Sequence, residues 1–233
     1  MEKEKVSISW SGGKDCSYAL YKILFSETYE VVSLHTTIDA QTKKVGLHGI
    51  PENLVVRQSE ILGIPLEKIY LNVIGSTSSY EEIMIQYYKS LRAKGIDKIV
   101  SGDIFLEDLR KYKEDLAASA GLDIIFPLWG SDTKELIKDF IHKGFKAKIC
   151  AINSKHFSQD HLGKSLDLMF IKNLSASVDP CGEYGEYHTF TYGGPIFSKA
   201  IPFLPGSIYF EDYNFKTSNN KQIKSQYYYM NFL

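Results

Sequence analysis

The run Val6-Ser7-Ile8-Ser9-Trp10-Ser11-Gly12-Gly13-Lys14-Asp15-Cys16 constrains this chain more than any other. Val6, Ile8 and Trp10 alternate with Ser7 and Ser9, which is the period of a strand, and the cluster Ser11-Gly12-Gly13 then breaks the pattern. Cys16, Ala19, Leu20, Ile23 and Leu24 recur at i, i+3, i+4, i+7 and i+8, laying one apolar stripe along a helix that begins near Lys14. Two glycines therefore join a strand to a helix. Such a turn presents backbone N–H groups without helical acceptors, together with the positive end of the helix dipole, and so forms a cradle for phosphate. Glycine suits it because a side chain would block close approach of a ligand to the backbone and because such a nest often needs positive φ. Ser11 adds a hydroxyl and Lys14 a charge. Asp15 has the wrong sign for phosphate contact, and its expected task is to hold Mg²⁺ or to order the loop. The spacing is not the GxxxxGK(S/T) of phosphoryl-transfer loops.

Beyond this turn, strand and helix patterns alternate. Residues 31–38 read as a second strand, 52–62 as a helix stopped by Gly63 with Pro65 beyond, and 64–73 as containing a third strand. Ser79 with Glu82 resembles a capping box opening a helix to about Lys94. A short strand at 98–101, a helix at 107–120 and a β-rich run at 123–129 come next. This order predicts an α/β fold, a parallel twisted sheet with helices on both faces. After Trp129 the pattern changes. Asp132 and Glu135 open one more helix, a strand lies at 145–152, and 207–232 reads as two aromatic β-runs around a turn at 218–220. We expect a first domain over 1–130 and a smaller α+β domain over 131–233.

The 233 residues suffice for two such units, and the apolar fraction of 44% with 24% charged residues is that of an ordinary globular chain. A formal net charge of −1 supplies no basic field, which disfavours nucleic acid as a partner. The three cysteines, Cys16, Cys150 and Cys181, are odd in number and widely spaced, so neither a disulfide framework nor a zinc site is indicated. With a charged N-terminus and no apolar span, a cytoplasmic protein is expected, without a membrane segment. The aromatic C-terminal run leaves a homodimer open.

The loop resembles the SGGxDS loop of the N-type ATP pyrophosphatases. Within that class, four blocks resemble the diphthine-ammonia ligase family: SWSGGKD, GLHGIPENLVVRQSEILGIPL, SGDIFLEDLRKYKE with IIFPLW, and DPCGEYGEYHTF. The resemblance implies a Rossmann-like sheet of the adenine nucleotide alpha hydrolase type, with ATP and Mg²⁺ bound. It also implies adenylation of a carboxylate acceptor with release of pyrophosphate, and amidation by ammonia. Two positions depart from the family. Cys16 stands where its loop ends in Ser, so that one hydroxyl is replaced by a thiol or supplied by Ser17. His188 stands where the ligases proper carry an acidic residue. The His form is similar to a bacterial branch, some members of which are linked to cobalamin metabolism rather than to diphthamide of elongation factor two.

Among the candidate site residues, Ser11, Gly12, Gly13, Lys14, Asp15, Cys16 and Ser17 form the nucleotide loop. Gly102 and Asp103 fall just after a strand, where open α/β sheets bind ligands; the alternative for Asp103 is a helix cap. His35, Thr36 and Thr37 end the second strand and line an adenine or ribose pocket, or are ordinary strand formers. His48 meets a triphosphate oxygen, or is an exposed loop histidine. Glu183, Glu186 and His188, bracketed by glycines, hold Mg²⁺, orient ammonia or take its proton, or else form a charged surface turn. With Lys14 and Asp15 they make the expected catalytic set. A sulfur transferase carrying sulfur on Cys150 or Cys181, and a non-catalytic ATP sensor, are the rival readings.

Overall fold

The computed structural model describes residues 2–72, 77–216 and 222–233, apart from the side chains of 77–79, 214–216 and 222–223. The chain runs β1 (Glu4–Ser9), α1 (Lys14–Leu24), β2 (Tyr29–Asp39), β3 (Lys44–Val45), β4 (Ile50–Pro51), α2 (Glu52–Leu62), β5 (Leu66–Leu71), α3 (Thr77–Ala93), β6 (Lys98–Val100), α4 (Glu107–Ala118) and β7 (Asp123–Ile125). It continues through α5 (Thr133–His142), β8 (Lys146–Asn153), α6 (Leu168–Lys172), β9 (Tyr187–Gly193), β10 (Pro205–Lys216) and β11 (Gln222–Phe232).

The parallel strands lie in the order β5-β2-β1-β6-β7, the expected α/β sheet. The short antiparallel pair β3-β4 has no counterpart in the sequence pattern, and its position matters. Leu34 and His35 of β2 pair with β1 on one edge and with β5 on the other. Ile38 pairs with β5 and with Val45 of β3, so β3 continues the β1 edge beyond the last residue of β1. The β3-β4 flap therefore lies over the end of β1, above the two-glycine turn.

A second, antiparallel sheet has the order β10-β11-β8-β9. It packs against α1, β4 and the turn at 46–48, and Val6, Ile8 and Leu20 on one face of the first sheet share a core with Ile149, Phe190 and Phe232. The opposite face of the parallel sheet is covered by α3 and α4 through Ile69, Met84, Leu91, Ile99 and Leu116. Fully burying a side chain such as Ile8 or Leu34 stabilises the fold by about 1.5–3 kcal/mol.

Helix ends agree closely with the sequence signals. Gly63 ends α2 at φ 69°, and the Asp132 carboxylate accepts from the N–H groups of Lys134 and Glu135 at the start of α5. The β-rich run at 123–129 is shorter than expected. β7 stops at Ile125 because Pro127 has no N–H to donate, and the Trp129 N–H turns back to the carbonyl of Phe126. Helix α3 starts ahead of Ser79, whose capping role lies outside the described side chains, as does the turn at 218–220. Among the described residues, no helix is long and apolar enough to cross a membrane.

Candidate active site

A cleft of about 800 Å³ opens at the carboxyl ends of β1 and β6, and β9, β11 and the loop at 182–185 close it from the second sheet. Its floor is the turn from β1 into α1. Gly12 has φ 82°, and a Cβ there would stand 2.7 Å from Oε1 of Gln58. A Cβ on Gly13 would stand 3.0 Å from both Cε1 of His48 and the carbonyl of Thr189. Positive φ at Gly12 agrees with expectation, but the space that both glycines keep free is filled by protein rather than left for a ligand. Gln58, fully buried, holds this packing: its amide donates to the carbonyls of Gly12 (2.9 Å) and Thr191 (2.7 Å), and its oxygen accepts from Nε1 of Trp10 (2.8 Å).

Helix α1 opens at Gly13 without a side-chain cap. The N–H of Lys14 donates to Oγ1 of Thr189 at 3.0 Å, which ties the helix start to β9. The Cys16 thiol donates to the Gly13 carbonyl (3.2 Å) and receives the Ser11 hydroxyl at 3.5 Å. Burial pushes this thiol up from its ordinary value.

Two lysine–carboxylate pairs face the cleft. Lys14 donates to both oxygens of Asp15 at 2.9 and 2.7 Å. Burial is the largest single influence and would lower its pKa, but the charge and hydrogen bonds of Asp15, joined by the acidic groups of Cys181 and Glu183, together outweigh it and the ammonium titrates above its usual value. On the other wall, Lys113 of α4 donates to both oxygens of Asp103 at 2.8 and 2.7 Å, and Asp103 also accepts from the Ser101 hydroxyl at 2.6 Å. A Cβ on Gly102 would stand 2.7 Å from the backbone of Asp15, so these walls meet at backbone contact. Among the described residues Glu183 forms no ion pair. Its carboxylate accepts from the Ile104 N–H at 2.8 Å, and burial, then the charge of Asp15, pushes its pKa up to about 7.

Above this floor stand two imidazoles. The rings of His48 and His188 lie 4.6 Å apart, and Tyr227 stacks on His188 at 6.1 Å. Burial, followed by the charge of Lys14, lowers His48 to about 4; burial, followed by His48, takes His188 well below its ordinary value. Both rings are neutral at pH 7. Among the described residues, Nδ1 of His48 and Nε2 of His188 are buried without a hydrogen-bond partner.

Of the residues singled out from sequence, Ser11, Lys14, Asp15, Cys16, His48, Gly102, Asp103, Glu183 and His188 line this cleft. Others stand elsewhere. The Ser17 hydroxyl is fully buried and donates to the Gly13 carbonyl at 2.7 Å, so it does not replace the hydroxyl that Cys16 lacks. His35, Thr36 and Thr37 fall inside β2, which runs on to Asp39; Nδ1 of His35 bonds the Ser7 hydroxyl in the core, and none of the three lines the cleft. Burial lowers His35 to about 3. Glu186 also stays outside, 2% exposed, because its carboxylate turns back to accept the Asp179 N–H at 2.8 Å. Gly12 and Gly13 pack behind the cleft surface. Gln58, Lys113 and Thr189 are site residues that the sequence reading misses. The signal for the first two is a polar residue on the inner face of an amphipathic helix: Gln58 comes after Leu54 and Val55, and Lys113 after Leu106 and Leu109.

The comparisons with known proteins agree with this architecture. The family model for the diphthamide synthase N-terminal domain matches residues 4–124, and that for the diphthamide synthase C-terminal domain matches 132–223. A diphthine–ammonia ligase of Homo sapiens is 25% identical over 227 residues, covering 84% of this chain and 82% of that one. The Rattus norvegicus protein of the same name is 28% identical over 222 residues, with the same coverage. A diphthine–ammonia ligase of Schizosaccharomyces pombe is 24% identical over 213 residues, covering 82% of this chain; the match spans only 34% of that longer protein. A solved structure, the U34-tRNA thiolase NcsA of Methanococcus maripaludis with its iron–sulfur cluster, aligns with a TM-score of 0.39 and 14% identity over 61% of this chain and 58% of that one, too distant to bear on fold or function. With both of its domains matched in order, this chain belongs to the diphthamide synthase family, enzymes of the ATP pyrophosphatase and ligase type.

Proposed function

We propose that this chain is an AMP-forming ligase. It transfers adenylate from ATP to a carboxylate, releases pyrophosphate, and lets ammonia displace AMP to give an amide. The reading rests on one juxtaposition: the start of α1, with Lys14 and Asp15, opens into the same cleft as Glu183 and His188. The names of the relatives, diphthine–ammonia ligases, support ammonia as nucleophile and a diphthine-like carboxylate as acceptor. We divide the chain near residue 130, with an ATP-binding part at 1–130 and an acceptor part at 131–233.

In this scheme the N–H groups of α1 and the helix dipole hold the phosphates, and Lys14 stabilises charge that develops on pyrophosphate. Asp15 is the carboxylate placed to hold Mg²⁺, which would neutralise phosphate charge when bound. Among the described residues no cluster of three or more metal-ligating side chains occurs, which fits an ion held by one or two carboxylates plus phosphate oxygens. Glu183, with its pKa near neutrality, takes the proton that ammonium must lose before it attacks. The neutral imidazoles of His48 and His188 offer hydrogen bonds to the acceptor without adding charge.

The test is a panel of carboxylate acceptors, diphthine-containing protein among them, assayed with ATP, Mg²⁺ and ammonium. Acceptor-dependent release of AMP and pyrophosphate in equal amounts is expected. Formation of ADP, or tight ATP binding with no turnover on any acceptor, would overturn the proposal.

A further inference from the structure

The cleft assigned above to the nucleotide holds its lysines in ion pairs. Among the described side chains that line it, the lysines are Lys14 and Lys113, and each is already matched by a carboxylate, Asp15 and Asp103. Glu183 adds negative charge when ionised. Among the described side chains, a triphosphate entering this cleft meets lysines that are already paired, so a direct lysine–phosphate contact exchanges a carboxylate for a phosphate oxygen.

The pairs differ in how freely they can open. The Lys14 side chain is 6% exposed, and its ammonium sits 5.6 Å from the ring centre of Tyr187 as well as against Asp15. Lys113, whose ammonium also donates to the Ser101 hydroxyl at 3.0 Å, is 31% exposed, whereas its partner Asp103 is 9% exposed. Asp103 also keeps the Ser101 hydroxyl at 2.6 Å, so its carboxylate retains a donor after the lysine leaves. Leu106, Leu109 and Lys113 all face the cleft, which sets the Lys113 stem on the inner face of α4 with its ammonium at the cleft wall. Four methylenes give that ammonium a reach of several ångströms without any backbone movement.

We propose that Lys113 is the mobile cation of the nucleotide site: on binding, its ammonium exchanges the carboxylate of Asp103 for a phosphate oxygen of the triphosphate. Asp103 stays hydrogen-bonded to Ser101 and is released as a second carboxylate beside Asp15. Lys14 remains the fixed charge. The inference rests on the nucleotide reading of the cleft but requires neither turnover nor an acceptor.

Equilibrium binding of MgATP to the full chain tests it, with Lys113→Met, Lys113→Arg, the double variant Lys113→Met/Asp103→Asn, and Lys111→Met as control. Lys111 pairs with Asp115 on the exposed side of the same helix. Loss of Lys113 should weaken MgATP by about tenfold to a hundredfold, and the arginine variant should recover part of that loss. The double variant is decisive because it removes the uncompensated carboxylate along with the lysine. If Lys113 serves the phosphate, the double variant stays weak. MgATP binding at the wild-type level by the double variant would show that Lys113 merely neutralises Asp103, and would overturn the proposal, as would undiminished binding by Lys113→Met. Melting curves for each folded variant separate lost affinity from lost structure. A wild-type chain that binds MgATP but releases no AMP would count against the ligase reading and leave this one standing.

Discussion

The backbone N–H of Lys14 donates to Oγ1 of Thr189 at 3.0 Å, joining positions 175 residues apart in the chain. This bond ties the start of α1 to β9, the strand that also carries His188. The Thr191 N–H, which donates to the Gly12 carbonyl at 2.9 Å, ties the same two segments a second time. Thr189→Val keeps the shape and removes the acceptor, leaving a buried N–H unpaired at a cost of about 1–3 kcal/mol. Urea denaturation should show that loss for Thr189→Val and much less of it for Thr189→Ser. Equal stability of the valine variant and wild type would mean the bond contributes nothing.

Gln58 makes three buried hydrogen bonds around the phosphate turn. Gln58→Leu should cost about 3 kcal/mol, because the Trp10 N–H and the Thr191 carbonyl lose the Gln58 amide together, while the Gly12 carbonyl keeps only the Thr191 N–H. A drop in ATP affinity should accompany it, since Gly12 shapes the cradle. Thermal melts and ATP titrations on the same sample check both; a loosened fold with intact affinity would separate the turn from the nucleotide.

Glu183 predicts a pH dependence whose sign is set by its position. Its folded pKa of about 7 lies above the ordinary 4.5, so between these values the native state holds the proton more tightly than the unfolded chain does. Its contribution to stability is therefore lost as pH rises from about 4.5 through about 7. As a base it works only when ionised, so acceptor-dependent AMP release should climb through neutral pH. Glu183→Gln should slow turnover at least about a hundredfold and abolish that climb. A mutant pH–rate profile matching the wild type would exclude Glu183 as the base.

The three thiols set the ligase apart from its sulfur-transfer rival. Cys150 donates to the His48 carbonyl at 3.3 Å and Cys181 to that of Thr133 at 3.4 Å, and burial pushes both pKa values up. Both are therefore thiols at neutral pH, poor nucleophiles for carrying sulfur. Replacing both with alanine should leave acceptor-dependent AMP release within about threefold of wild type in protein matched for folded fraction. Complete loss of turnover in a folded double variant would favour a thiol intermediate.

By itself, the sequence determined the features set by local periodicity and local chain chemistry. Alternation specified β1 and β2, a 3.6-residue stripe specified α1, Gly63 stopped α2, and Asp132 capped α5. These signals lie within a few residues of the structure they specify. The loop Ser11 to Cys16 and the Glu183 to His188 run were legible as chemistry for the same reason.

Tertiary structure decided which of those groups share a cleft. Side-chain direction depends on strand register and on contacts between distant segments: Glu186 turns to Asp179 while Glu183, three residues earlier, faces the cleft. The β3-β4 flap, whose strands are too short to give a periodic signal, brings His48 over Gly13 and against His188. Lys113 lies on α4, and only the packing of that helix against β7, the neighbour of β6, brings it to Asp103. Hydrogen bonds of Gln58 and Thr189 join positions 46 to 175 residues apart, and a linear pattern carries no record of a partner that folding alone brings near.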